Sequence, residues 1–205
     1  LEIAPDDLEV VDGEVRAVGA PDRSITVEEI ARRPLRFGGR HEPIEGHGGS
    51  AQTVGAPSVA AHLSHVRVDR ETGEVELLKH VIAQDVGRAL NPALVEGQMR
   101  GGATQGIGWA LFEELAHDED GRLLTGSFLD YAIPVAERVP VIDTLIVGVP
   151  APDGPFGAKG IGEAPVIAGP AAIANAVAAA IGVRLRELPM TPARVWEALG
   201  GELLT

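Results

Sequence analysis

The sequence predicts an α+β fold of antiparallel hairpins, or a small sheet, packed with separate helices. Two observations carry that prediction: two pairs of β-prone runs are each joined by a tight turn, and the helical segments carry their own caps and stops. No internal repeat is visible. Residues 8 to 18, LEVVDGEVRAV, are two short apolar-alternating runs around Asp12-Gly13, the dipeptide that best fits a two-residue hairpin turn. Ser24 to Arg33 reads as a helix, with Thr26 and Glu29 as a capping-box pair, Ile25 and Ile30 as the staple and Pro34 as the stop. Residues 36 to 57 are glycine-rich without a period and read as a linker. A longer hairpin follows, with Leu63, Val66 and Val68 before the turn Asp69 to Gly73 and Val75, Leu77, Val81 and Ile82 after it.

Asn91-Pro92 supplies an N-cap and a first helical residue for a helix running to about Leu115. Gly97, Gly101, Gly102, Gly106 and Gly108 lie inside it, each costing up to ~1 kcal/mol against Ala, so close packing or a bound ligand must compensate. Phe128 to Ile133 and Val141 to Val149 read as strands, and Pro150 to Gly162 as a Pro/Gly-rich loop. Ala171 to Ile181 and Pro192 to Leu199, the latter capped by Thr191, read as helices. The expected organisation is residues 1–57 as hairpin, helix and linker, and 58–205 as the core that bears the chemistry.

Composition narrows the functional classes. The 205 residues suffice for a disulfide-free core, and a net charge of −13 disfavours nucleic acid and anionic membrane surfaces as partners. With no cysteine, the chain has no thiolate to hold zinc or an iron–sulfur cluster, so a redox role needs an outside cofactor. Twenty-six glycines and 3% aromatic residues favour close backbone approach to a large flat ligand or a subunit. The acidic start LEIAPDDLEV is unlike a targeting signal, and the leading Leu reads as a sign of processing or of a fragment. The apolar run Ala164 to Val183 is broken by Gly169, Pro170 and Asn175 and reads as a buried helix from about Pro170, not a membrane span. The expected location is the cytoplasm.

Several motif readings fail on context. Gly101 to Gly108, GGATQGIG, imitates a dinucleotide-binding loop but follows a helix, and no lysine stands four residues after Tyr131. GPFGAKG at 154 to 160 has Gly160 where a phosphate loop needs Ser or Thr. His62 and His65 fall on opposite faces of a strand, and no metal ligands are assigned. Glu113, Glu114, Asp118, Glu119 and Asp120 read as a solvated acidic face. The most informative stretch is FGAKGIGEAP, Phe156 to Pro165, where glycines flank Lys159 and Glu163 on a tight backbone. Glu163 held there is a candidate general base, or else a cap for the following helix or a partner for Lys159.

DVGRALNP at 85 to 92, VEGQMRGGATQGIG at 95 to 108, FLDYAIP at 128 to 134 and PFGAKGIGEAP at 155 to 165 occur in this order. Together they resemble the C-terminal part of the molybdopterin-binding large subunit of the xanthine dehydrogenase and aldehyde oxidoreductase family. The resemblance runs from about Val59 to Leu199 and more weakly upstream. It implies hydroxylation of an aldehyde or N-heterocycle, a small-molecule substrate, with water as oxygen source and a molybdenum–molybdopterin centre, in its cytosine dinucleotide form or without the nucleotide, as electron sink. It also implies Glu163 as the general base toward the attacking hydroxyl, Gln98 and Gln105 as contacts of the pterin phosphate or dinucleotide, and Gly160 in the lining of the metal centre. The implied partners are the remaining large-subunit segment or a sister subunit, with iron–sulfur clusters and FAD carried on other subunits or domains. The family's upstream cofactor loop and most of its substrate pocket have no counterpart in these residues, so the chain is expected to be active only in a complex. The alternative is a non-catalytic structural or assembly module in which Glu163 is a helix cap.

Overall fold

A computed structural model describes residues 1–35, 37, 42, 45–49 and 55–201. The chain divides into two compact units, Leu1–Ala51 and Gln52–Thr205. Most of the linker expected at 36–57 lies outside the described residues.

The first unit is a three-stranded antiparallel sheet with one short helix. Strands β1 (Leu8–Val11) and β2 (Glu14–Ala17) pair through the Asp12-Gly13 turn, where both residues have positive φ, 51° and 79°, as the tight hairpin turn requires. Strand β3 (Ala20–Thr26) adds to β2 with Val15 opposite Ile25. Helix α1 (Val27–Arg32) therefore begins three residues later than the sequence suggests, and Ser24 to Thr26 belong to the sheet. Polar and proline residues at Pro21 to Ser24 conceal this strand, because its stability comes from the β2 ladder and not from its own propensity. The predicted cap holds: Thr26 Oγ1 accepts from the Glu29 amide at 3.1 Å.

The second unit is built on a mixed sheet in the order β4-β5-β6. Strands β4 (Ala60–Val68) and β5 (Val75–Asp85) form the expected long antiparallel hairpin, with a bulge between His65 and Val66. Strand β6 (Ile142–Val147) joins β5 in parallel, from His80 opposite Ile142 to Asp85 opposite Val147, so the sheet is not purely antiparallel. The parallel return is possible because helix α2 (Pro92–Leu111) and the loop after it span the crossover. Asn91 caps α2, its Oδ1 accepting from the Leu94 amide at 3.2 Å.

Helix α2 stops at Leu111, short of the expected Leu115, because the Phe112 and Glu113 amides both turn back to the Gly108 carbonyl. Glu113 then accepts from the Tyr131 hydroxyl at 3.1 Å, and Glu114 pairs with Arg194 at 2.6 Å. Two members of the acidic cluster are thus partnered, a correction to the solvated-face reading, and Asp118 to Asp120 alone form an exposed turn. The expected strand at Phe128 to Ile133 is also absent. Ser127 draws the Tyr131 amide into a local turn at 2.8 Å, which leaves Phe128 and Leu129 on the surface.

Helices α3 (Ala164–Ile167) and α4 (Gly169–Ile181) follow one another at Ala168, and α5 (Pro192–Ala198) is capped by Thr191 as predicted. Residues Ala164–Ile181 are long and apolar enough to cross a membrane by composition. Within the fold, however, Ile173, Val177 and Ile181 are buried in the core. They pack with Ile82 of β5 and Met99, Ala103 and Ile107 of α2. The missing side chains at Gly102 and Gly106 permit this approach: a Cβ at Gly102 would stand 2.6 Å from Pro165 Cβ, and one at Gly106 would stand 3.1 Å from the Val166 carbonyl oxygen. The sheet's inner face also buries polar groups. His62 Nδ1 lies 3.1 Å from His80 Nε2, and Ser64 Oγ lies 3.0 Å from His80 Nδ1, while His65 points to solvent on the other face.

Candidate active site

The end of β5 and the loop between β6 and α3 are clamped together around one carboxylate. Asp85 Oδ2 accepts from Lys159 Nζ at 2.6 Å, and Asp85 Oδ1 accepts from the Gly87 amide at 3.0 Å and the Val149 amide at 3.1 Å. The two charged side chains are only 7% and 11% exposed. The Lys159 hydrogen bond, with those two amides, holds the Asp85 carboxyl below the usual carboxylate range. Around the pair, the Lys159 amide donates to the Val86 carbonyl at 3.0 Å, and the Arg88 and Ala151 amides share the Gly157 carbonyl at 2.9 and 3.0 Å. Glycine is required at 87, since its φ is +61° and a Cβ there would stand 2.2 Å from the Gly157 oxygen. Sequence reasoning missed this clamp, although both halves lie inside the quoted motifs.

Glu163 follows four residues after Lys159 and opens α3. Its side chain makes no capping bond to that helix, and Lys159 is committed to Asp85. Neither structural alternative for Glu163 is therefore what the fold displays: its carboxylate is exposed, and its backbone carbonyl alone serves the helix, accepting from the Val166 amide at 2.9 Å. Two residues later, Pro165 is buried against Gly102 of α2.

Helix α2 divides its glycines between two tasks. Gly102 and Gly106 face α3 and α4, whereas a Cβ at Gly97 or Gly101 would meet nothing within 4 Å. Gln98, Gly101 and Gln105 recur at intervals of three and four residues, so they form one open stripe on the face opposite the buried Met99, Ala103 and Ile107. Gln98 also lines a groove with Arg88, Ala158, Lys159 and Ile161, which joins that stripe to the loop carrying Glu163. Gly160 is exposed, with open space where its Cβ would be. Neutral amides beside bare backbone suit a large polar group with several acceptors, because they donate and accept without imposing charge. The two amides and the open glycines thus leave room beside α2 for a polar group of that kind.

A family model for the molybdopterin cofactor-binding domain matches residues 1–140. The chain belongs to that family. It is 38% identical over 209 residues to the 6-hydroxypseudooxynicotine dehydrogenase complex subunit gamma of Paenarthrobacter nicotinovorans, covering 98% of this chain and 26% of the relative. It is 32% identical over 192 residues to the xanthine dehydrogenase molybdenum-binding subunit of Escherichia coli O157:H7, covering 93% and 26%. The crystal structure of quinoline 2-oxidoreductase from Pseudomonas putida 86 superposes with a TM-score of 0.79 at 29% identity, covering 97% of this chain and 26% of that one. The molybdopterin-domain chain thus spans about a quarter of the length of these relatives. The expected family and its α+β fold both stand.

Proposed function

We propose that this molybdopterin-binding chain supplies the general base and part of the cofactor cradle of a molybdenum hydroxylase that oxidises an N-heterocycle or an aldehyde with water as oxygen source. When bound, the molybdenum pterin supplies the two-electron oxidation. The chain's own share is to hold the cofactor and move one proton. Gln98 and Gln105 offer amide donors and acceptors to the pterin phosphate or to the cytosine dinucleotide form, and the bare backbone at Gly101 lets that group approach α2. Gly160, with open space around it, would line the metal centre. The Glu163 carboxylate accepts the proton of the attacking hydroxyl, since a base must reach its proton within hydrogen-bond distance and be free of competing partners. The single observation that carries this reading is that the Glu163 side chain is exposed, makes no capping bond and has no ion-pair partner among the described residues, beside a clamped loop.

The relatives named for 6-hydroxypseudooxynicotine and xanthine favour an N-heterocyclic substrate. The remaining large-subunit polypeptide, or a sister subunit, would cover the exposed apolar side chains Phe128, Leu129, Val141 and Phe156 and complete the substrate pocket. Iron–sulfur and FAD-bearing subunits would take the electrons onward, as a chain without cysteine holds no cluster itself. Such a complex would reside in the cytoplasm. The test is Glu163→Gln in the native complex. Turnover should fall by several orders of magnitude with molybdenum content and subunit composition unchanged. Turnover at the wild-type level would remove Glu163 from the chemistry, and altered stability in its place would support a structural module.

A further inference from the structure

We propose that Asp85 and Lys159 are a positioning pair that sets the place of Glu163 and keeps the lysine away from it. The inference rests on the reading of Glu163 as the base. Its ground is the layout of the chain between two anchors. Upstream, Lys159 is fixed by its ion pair to Asp85 and by its amide to the Val86 carbonyl. Downstream, Pro165 and Val166 are buried against α2. Glu163 lies between them, in the run Gly160-Ile161-Gly162-Glu163, where both glycines have open space around them and lend the backbone no stiffness of their own.

The charge arrangement points the same way. A buried lysine gains little net stability from its ion pair, because losing its hydration offsets most of the attraction. What the pair does provide is a fixed geometry, since Asp85 also holds the Gly87 and Val149 amides at the ends of the neighbouring segments. One carboxylate thereby ties β5, the second residue after β6 and the loop of the candidate base into one unit. The commitment of Lys159 to Asp85 has a second effect. An ammonium tied to Asp85 is not available as a partner for the carboxylate four residues on.

The experiment uses the complete large subunit in its native complex. The double variant Asp85→Asn with Lys159→Met keeps an acceptor for the Gly87 and Val149 amides and leaves no unpaired buried charge. Hydrogen exchange read by mass spectrometry should show faster exchange at the Arg88, Ala151 and Lys159 amides, with α2 and α4 unchanged. kcat should fall by about tenfold to a hundredfold, the scale of a misplaced reacting group, with KM and molybdenum content near wild type. Combined with Glu163→Gln, the double variant should cost little further rate, because both changes disable one element. Lys159→Arg, which keeps a cation for Asp85, should recover part of the lost rate. Unchanged exchange in the loop, or the same fold-loss with and without Glu163→Gln, would overturn the positioning role while leaving the base intact. Wild-type turnover in Glu163→Gln alone would overturn the base reading, and the positioning role would fall with it.

Discussion

Acidification should loosen the second unit through a single buried imidazole. His80 is fully buried on the inner face of β5, and its pKa is pushed down to about 4 by that burial and by the neighbouring His62. In the unfolded chain it returns to about 6.5, so between these values the unfolded state binds a proton that the native state refuses. The contribution is absent above about pH 6.5, where both states are neutral, grows as pH falls, and levels off below about pH 4. Over the full window the loss is about 3 kcal/mol, at about 1.4 kcal/mol per pH unit, and about 2 kcal/mol of it has accrued by pH 5. His62, also lowered by burial, acts in the same direction. Urea unfolding between pH 7.5 and 5, on the chain and on His80→Gln, isolates the effect, since the carboxylates titrate alike in both. The variant should be less stable than wild type at pH 7.5, where the His62–His80–Ser64 contacts are lost, and that deficit should shrink by about 2 kcal/mol at pH 5. A deficit that stays constant across the range, or a His80 imidazole that titrates near 6.5 by NMR in the folded chain, would mean that burial does not hold His80 neutral.

The glycines of α2 separate packing from ligand approach. Gly102→Ala places a methyl group 2.6 Å from Pro165 Cβ and should destabilise the chain by about 1–3 kcal/mol in urea unfolding. Gly101→Ala meets open space and should stabilise it by up to ~1 kcal/mol, yet lower the pterin content of the assembled complex. Asn91→Ala removes the side-chain cap of α2 and should cost about 0.5–2 kcal/mol, measured the same way. Gln98→Leu with Gln105→Leu should leave the unfolding midpoint of the chain within experimental scatter and reduce the pterin recovered per complex. A full complement of cofactor in that double variant would remove both amides from the cradle.

Where local chemistry dictates structure, the sequence was sufficient. Asp12-Gly13 tolerates the positive φ of a tight hairpin turn, Asn91-Pro92 and Thr191-Pro192 mark helix starts, and each element began where its cap stands. Where partners dictate it, the sequence misled. Strand β3 forms because β2 offers a ladder to Pro21 to Ser24, and Phe128 to Ile133, with β-prone side chains, has no ladder to join and is turned back by Ser127. The candidate site shows the same division. The proposed residues Glu163, Gln98, Gln105 and Gly160 are candidates from local motifs and the family resemblance those motifs carry. The Asp85–Lys159 pair was not, because its members are 74 residues apart and meet only through the parallel register of β5 and β6, which brings Val149 beside Asp85. His80 likewise gave no signal alone, since its partner His62 is set by strand register.

We propose that this chain forms part of a molybdenum pterin centre. Elemental mass spectrometry on the complex recovered from its native cells, through a tag on this chain, tests it most directly. Molybdenum in stoichiometric amount with the chain, arriving with the rest of a large subunit, is the predicted result. A folded chain recovered in complex with its partner polypeptides but free of molybdenum and pterin would rule out a place in such a centre.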